Sequence, residues 1–337
     1  MSLIKAWAAK SKGVSLELFE YDPGLIGPNE VEVKVHYCGI CHSDISMIDN
    51  AWQSSVYPLV PGHEVIGEVI LKGSHVKNLR IGQIVGIGWT EKSCMECKTC
   101  LQGDQNLCKS SQGLIVGHHG GFADRVRASS EWVIKLPKNL DPSKAGPLMC
   151  GGITVFNPLL QFNVPPTAKI GVVGIGGLGH LALKFFKAWG MEVTAFTSHM
   201  NKEEDILKMG AHRVVSINDK NQIAKLQNSL DFLLVTSNVS LDFNALIDTL
   251  GPKGHIHFVG AVLNIIPITV FQLLGYQRKI SATPTGSIAS IMSMLEFASR
   301  HTIEPIVEIY PLSQVNKALE NLRKGQVKYR IVLKNDF

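Results

Sequence analysis

Residues 168–198 read AKIGVVGIGGLGHLALKFFKAWGMEVTAFTS. The apolar run at 170–173 has the length and composition of a buried strand. Gly174, Gly176 and Gly179 follow in G-x-G-x-x-G spacing, with Gly177 and Leu178 inside the turn. Leu181, Leu183, Phe185 and Phe186 then recur among lysines, as on an amphipathic helix, and a second strand is expected at 192–196. Strand before and helix after form the context in which this spacing marks a dinucleotide site. The helix start offers free N–H groups and the positive end of its dipole to a pyrophosphate. The stretch predicts an α/β fold with a doubly wound parallel sheet.

The end of the second strand bears on which dinucleotide fits. Where an acid would hold a ribose 2′-hydroxyl, the chain reads TSHMNKEED (197–205). Ser198 occupies the place of the acid, with Thr197 before it and Lys202 shortly after. Hydroxyls and an ammonium suit a 2′-phosphate, which a carboxylate would repel, so NADP(H) is expected rather than NAD(H). DFLLVTS (231–237) and HIHFVGA (255–261) read as further buried parallel strands. Ligands bind at the carboxyl ends of such strands. Thr236, Val259 and Gly260 are therefore candidates to face the adenine ribose and nicotinamide, with ordinary sheet core as the other reading of each.

The chain of 337 residues suffices for two domains. With 45% hydrophobic and 18% charged residues it can bury a core, and disorder is not expected. The net charge of +5 is spread out, without the basic block of a nucleic-acid-binding tail. The opening, MSLIKAWAAKSKGVSLE, lacks the apolar run of a signal peptide, and no stretch has the ~20 apolar residues of a membrane span. A cytoplasmic protein is expected, and in a reducing compartment clustered cysteines are more often metal ligands than disulfides.

SCMECKTCLQGDQNLC (93–108) holds four of the seven cysteines. Cys94, Cys97, Cys100 and Cys108 can supply all four corners of a zinc tetrahedron, which leaves no open position. That predicts a structural metal. The other three cysteines are Cys38 and Cys41 in HYCGICHSD and Cys150 in GPLMCGGITVF. About twenty residues after Cys41 comes YPLVPGHEVIGEV, with His63 and Glu64. Each residue alone reads as core or surface. Together, Cys41, His63 and Cys150 resemble the Cys2His catalytic set of zinc alcohol dehydrogenase, with one position open. An open zinc lowers the pKa of a bound alcohol and polarises a carbonyl. Glu64 is either an alternate fourth ligand or a group behind the ligands, and Asp44 is a candidate acceptor for the other N–H of a ligating histidine.

Short alternating runs before Gly146, such as VEVKVHY, GEVILKG and IGQIVGIG, predict a small β-rich domain. From about Cys150 to Thr283 strands alternate with helices. A turn at PTGS precedes a helix at 291–299, and the tail VKYRIVLKNDF contains a strand expected to return to the first domain. The expected division is 1–149 with 285–337, and 150–284.

GICHSD, YPLVPGHEVIG, SCMECKTC, GVVGIGGLGHLAL and KYRIVL occur in this order. In this the chain resembles the zinc-dependent medium-chain alcohol dehydrogenases over nearly its whole length. FADRV, GPLMCGGITVFNPL and the Ser198/Lys202 pair resemble the cinnamyl-alcohol-dehydrogenase-like, NADP-dependent aldehyde reductases. The resemblance implies a GroES-like catalytic domain beside a Rossmann domain. It implies two zinc ions, one held by Cys41, His63 and Cys150 with Glu64 exchanging, the other by Cys94, Cys97, Cys100 and Cys108. It implies that Ser43 hydrogen-bonds the substrate oxygen, that His42 lies near the pyrophosphate and that Thr154 lies near the nicotinamide. Trp52 and Trp89 match aromatic positions of the substrate pocket, or are core packing. Many relatives carry a relay histidine where this chain has Ser46. His118-His119 reads as structural or near the pocket mouth, without a chemical role. The partners implied are a small alcohol or aldehyde and a second copy, as a homodimer or homotetramer. A zinc-module nucleic-acid binder is disfavoured because the cysteine loop lacks interleaved basic and aromatic residues. A zinc-free quinone reductase is disfavoured by the intact three-ligand set.

Overall fold

The computed structural model describes residues 3–337. Met1 and Ser2, at the head of the first expected domain, lie outside the described residues. The chain forms two compact units, one running up to Ile153 and resuming over Thr285–Phe337, the other Thr154–Pro284. Cys150 thus belongs to the first unit.

The second unit is built on six parallel strands. Across the sheet they run Arg213–Ser216, Glu192–Thr197, Lys169–Val173, Leu230–Val235, Leu250–Phe258 and Lys279–Ala282. In chain order this is 3-2-1-4-5-6, the doubly wound arrangement with its switch point between Lys169–Val173 and Leu230–Val235. Past Lys169 and Asp231, which lie exposed near their starts, the central strands are apolar and buried, as strands of a doubly wound sheet are. The helix Gly179–Trp189 buries Leu181, Leu183, Phe185 and Phe186 completely, about 1.5–3 kcal/mol each. The strand expected at 255–261 starts at Leu250 instead and ends at Phe258. Gly251-Pro-Lys-Gly254 looks like a turn, and the strand absorbs it through a register shift between Leu230 and Phe232 and a positive φ of 62° at Lys253. The last long helix covers Ile288–Arg300 rather than 291–299, because Ser287 caps its start by accepting the N–H of Ser290.

The first unit centres on the eleven-residue strand Glu30–Ile40, whose Val31, Val33 and Val35 point into the core while Lys34 faces solvent. Val65–Lys72, Arg125–Ser129 and Arg330–Lys334 pair with it antiparallel. The late strand Arg330–Lys334 sets Ile331 opposite Ile40, which brings Arg330 to the end of Glu30–Ile40 that precedes Cys41. Among the described residues no helix is long and apolar enough to cross a membrane.

Candidate active site and metal centres

Cys41 caps the helix His42–Ile48, His63 and Glu64 immediately precede the strand Val65–Lys72, and Cys150 closes a short 3-10 turn, Gly146–Met149. Folding brings one ligand atom from each of the four to within 4.8 Å of the others. Nε2 of His63 lies 3.2 Å from Sγ of Cys150. Asp44 ties the cluster together. Its Oδ2 accepts the N–H of Cys41 at 2.9 Å, and its Oδ1 accepts the N–H of Gly62 at 2.9 Å. Oδ1 also lies 2.9 Å from Nδ1 of His63, so the imidazole is oriented with Nε2 towards the cysteines. Burial pulls the His63 pKa down, but the Asp44 carboxylate outweighs it and the net shift is upward. Hydrogen bonding with Cys150 lowers the Cys41 thiol, and the same contact raises that of Cys150.

Glu64 is fully buried, and its Oε1 meets a guanidinium N–H of Arg330, itself 4% exposed. Burial raises the Glu64 pKa against the opposing pull of Arg330. The other oxygen, Oε2, has no hydrogen-bond partner among the described residues, although it is buried. A side chain at position 39 would occupy its place, since a Cβ on Gly39 would fall 2.0 Å from Oε2. An orphaned carboxylate oxygen beside two thiols and an imidazole fits a divalent cation. Arg330 has no local signal in the sequence, because it stands 266 residues from Glu64.

At the second cluster the thiols of Cys94, Cys97, Cys100 and Cys108 also lie within 4.8 Å of one another. Four thiolates around one zinc would be ~3.8 Å apart, from Zn–S bonds of ~2.3 Å. Sγ–Sγ separations of 3.9, 3.9 and 3.5 Å for Cys94–Cys100, Cys97–Cys108 and Cys94–Cys108 meet that requirement. The N–H groups of Glu96 and Cys97 hold the Cys94 thiol down to about 6, whereas burial pushes Cys100 up to about 12. Cys38 is 1% exposed and packs in the core of the first unit.

Trp89 stands edge-on to the His63 ring at 5.2 Å between centroids, and Trp52 stands edge-on to Trp89 at 5.8 Å. Both also pack against the core. Oγ of Ser43 is 3.7 Å from Sγ of Cys41, while His42 is exposed and Ser46 half-buried. His119 packs tilted against Tyr21, with ring centroids 4.2 Å apart, and Nδ1 of His118 lies 3.3 Å from the Leu114 carbonyl.

In the second unit the glycine turn leaves Lys169–Val173 at the switch point. Gly174 has φ of 89°, which favours glycine. A Cβ on Gly179 would fall 2.0 Å from the Gly174 carbonyl, whereas one on Gly176 would meet nothing within 4 Å. A tight turn, a close helix contact and an open backbone are the three glycine roles of a pyrophosphate cradle. Gly177 and Leu178 are half-buried in that turn. Thr236 donates its hydroxyl proton in the same turn, its Oγ1 lying 2.6 Å from the Gly174 carbonyl and 3.0 Å from that of Val173. The N–H groups of Val259 and Gly260 both go to the Val235 carbonyl. Thr154 is buried in the helix Gly151–Gln161. Thr197 is buried, with Ser198 and Lys202 exposed beyond it. His199, which the sequence motif did not single out, meets Ser198 Oγ through Nδ1 at 2.9 Å and donates its backbone N–H to Thr197 Oγ1 at 3.1 Å.

A doubly wound dinucleotide fold and a Cys2His cluster define a zinc-dependent dehydrogenase. Residues 27–138 match the alcohol dehydrogenase GroES-like domain, and residues 177–300 match the zinc-binding dehydrogenase family. An aldehyde reductase of Synechocystis sp. is 51% identical over 331 residues, covering 98% of either chain. A cinnamyl alcohol dehydrogenase of Sorghum bicolor superposes with a TM-score of 0.95 at 32% identity, covering 99% of this chain and 98% of that one. The Helicobacter pylori cinnamyl alcohol dehydrogenase, solved with NADP(H), gives 0.91 at 30% identity over 98% of both chains. The chain belongs to the zinc-dependent medium-chain alcohol dehydrogenases, in the cinnamyl-alcohol-dehydrogenase-like subgroup.

Proposed function

We propose that this protein reversibly reduces an aldehyde to a primary alcohol with NADPH, using one catalytic and one structural zinc. The observation that carries the reading is the buried cluster of Cys41, His63 and Cys150 with the orphaned Glu64 Oε2 beside it. A zinc ion held there supplies Lewis acidity towards a carbonyl oxygen, and the nicotinamide supplies the hydride. The chain's own residues prepare and complete that chemistry. Asp44 fixes the tautomer and direction of His63 while holding the backbone of Cys41. Arg330 balances the charge of Glu64, which would be a further ligand to such a zinc. Ser43 Oγ carries the proton given to the product oxygen, and with Ser46 in the place of a relay histidine that proton is renewed from water or from Ser46. Trp52 and Trp89 form an aromatic wall beside His63, which suits a flat or apolar aldehyde. His42 and Thr154 are assigned to the pyrophosphate and nicotinamide, and Cys94, Cys97, Cys100 and Cys108 to the bracing zinc.

NADP(H) is assigned from Ser198 and Lys202, and the NADP(H) complex of the Helicobacter relative supports it. Ser198→Asp is expected to lower the ratio of kcat/KM for NADPH to that for NADH by about 10²-fold, since a carboxylate there repels the 2′-phosphate. Steady-state assays with both cofactors on an aromatic aldehyde measure this, and an unchanged ratio removes Ser198 from the phosphate site. The assignment of six of the seven cysteines to metal rather than to disulfides supports residence in a reducing cytoplasm. Exposed Leu263, Ile265, Val270, Phe271 and Leu274, near the edge strand Lys279–Ala282, support a homodimer or homotetramer.

A further inference from the structure

We infer that His180 is a positioning residue for the cofactor, its imidazole fixing the Gly176–Gly177 peptide so that the Gly177 N–H is presented to the pyrophosphate. The inference rests on the dinucleotide reading above. His180 stands in the first turn of the helix Gly179–Trp189, close behind the exposed Gly176, yet its side chain is wholly buried. A buried polar ring needs a partner. Nδ1 finds one in the Gly176 carbonyl, 3.2 Å away. A carbonyl oxygen only accepts, so Nδ1 carries a hydrogen and donates it. The same oxygen accepts the backbone N–H of His180 at 3.1 Å. The carbonyl of Gly176 is therefore held twice by one residue, once by its backbone and once by its side chain.

The consequence falls on the other end of that peptide. The bond between Gly176 and Gly177 is trans, so its C=O and N–H lie in one plane and point in opposite directions. With the carbonyl drawn into the helix start, the N–H of Gly177 faces away from the helix. Among the described residues it has no hydrogen-bond partner, and neither have the N–H groups of Ile175, Gly176 and Leu178. Such free donors suit an anion. This peptide is also the one in the turn that most needs fixing. The torsions that rotate it are ψ of Gly176 and φ of Gly177, both on glycines, which have the widest conformational range. The single backbone hydrogen bond of a first helical turn frays easily. Thr236 does the corresponding work one step earlier in the turn, where its Oγ1 lies 2.6 Å from the Gly174 carbonyl.

The experiment is calorimetric binding of NADP+, NAD+ and adenosine 2′-monophosphate to the zinc-loaded wild-type protein, His180→Phe and His180→Asn. Phenylalanine keeps the ring and loses the donor, whereas asparagine loses the ring and keeps an N–H in the place of Nδ1. In His180→Phe the Kd values of both dinucleotides are expected to rise about tenfold with their ratio unchanged. Adenosine 2′-monophosphate has no pyrophosphate, and its Kd is expected to stay as in the wild type. In His180→Asn the dinucleotides are expected to bind within about threefold of the wild type. A packing role for the imidazole predicts the reverse order, so weaker dinucleotide binding by His180→Asn than by His180→Phe overturns the inference. Wild-type binding by His180→Phe overturns it too, as does an equal loss on the monophosphate. If His180→Phe does not fold, His180→Asn decides, and a tenfold loss of NADP+ binding in that folded variant overturns the inference. A wild type that binds neither dinucleotide overturns the cofactor reading and this inference with it.

Discussion

Replacing Cys41 or His63 by alanine is expected to lower aldehyde reduction by on the order of 10³-fold or more while the fold survives. Both side chains belong to the cluster with Cys150 and Glu64, so on the proposed reading each substitution removes a ligand from the open site. Lewis-acid stabilisation is worth several kcal/mol, and each 1.36 kcal/mol is a factor of ten in rate. The loss should fall on kcat and kcat/KM together, because the missing interaction grows as charge develops on oxygen. The two variants should differ in one respect. His63→Ala also leaves Asp44 Oδ1 with the Gly62 N–H as its remaining partner, whereas Cys41→Ala leaves the backbone N–H of residue 41 on Oδ2. His63→Ala is therefore expected to cost more thermal stability. Turnover at wild-type level in either variant, with the site free of metal, would end the catalytic assignment.

Arg330→Met is expected to lower the melting temperature by about 10 °C. Arg330 is 4% exposed and Glu64 fully buried, so removing the guanidinium strands a carboxylate in the interior. Breaking such a pair from one side costs ~3–5 kcal/mol, and a unit of this size loses ~2–4 °C for each kcal/mol. The double variant Glu64→Gln/Arg330→Met should recover a large part of the loss, because neither charge is then left unpaired. Calorimetric melting of the zinc-loaded wild type and the two variants measures this. A fall of less than about 2 °C in Arg330→Met would show that Glu64 does not depend on Arg330.

How much of this was legible in the sequence depended on how local each feature was. The glycine turn lies within one strand–turn–helix unit, and the four thiols of the second cluster lie within sixteen residues. In both, spacing alone brings the groups together. The open cluster was a different case. Cys41, His63 and Cys150 are separated by 22 and 87 residues, and only a resemblance to known dehydrogenases joined them. Nothing near Arg330 announces Glu64, because their contact is made by the pairing of the late strand Arg330–Lys334 with Glu30–Ile40. His199 carries no signal in the motif, whose Ser198 and Lys202 stand on either side of it. The hydrogen bond with Ser198 depends on side-chain direction, which spacing does not specify. The start of the strand at Leu250 was hidden behind Gly-Pro-Lys-Gly, a run that reads as a turn until its partner strand is known.

The most direct test of the central claim is the zinc content per chain of the purified protein, by elemental mass spectrometry, beside that of His63→Ala. Two ligand clusters predict about two zinc ions in the wild type and about one in the variant, retained by Cys94, Cys97, Cys100 and Cys108. About one zinc in both proteins, with reduction of the aldehyde unimpaired in the variant, would contradict the account. The four-cysteine brace would remain, and the chemistry would have to be sought away from Cys41, His63 and Cys150.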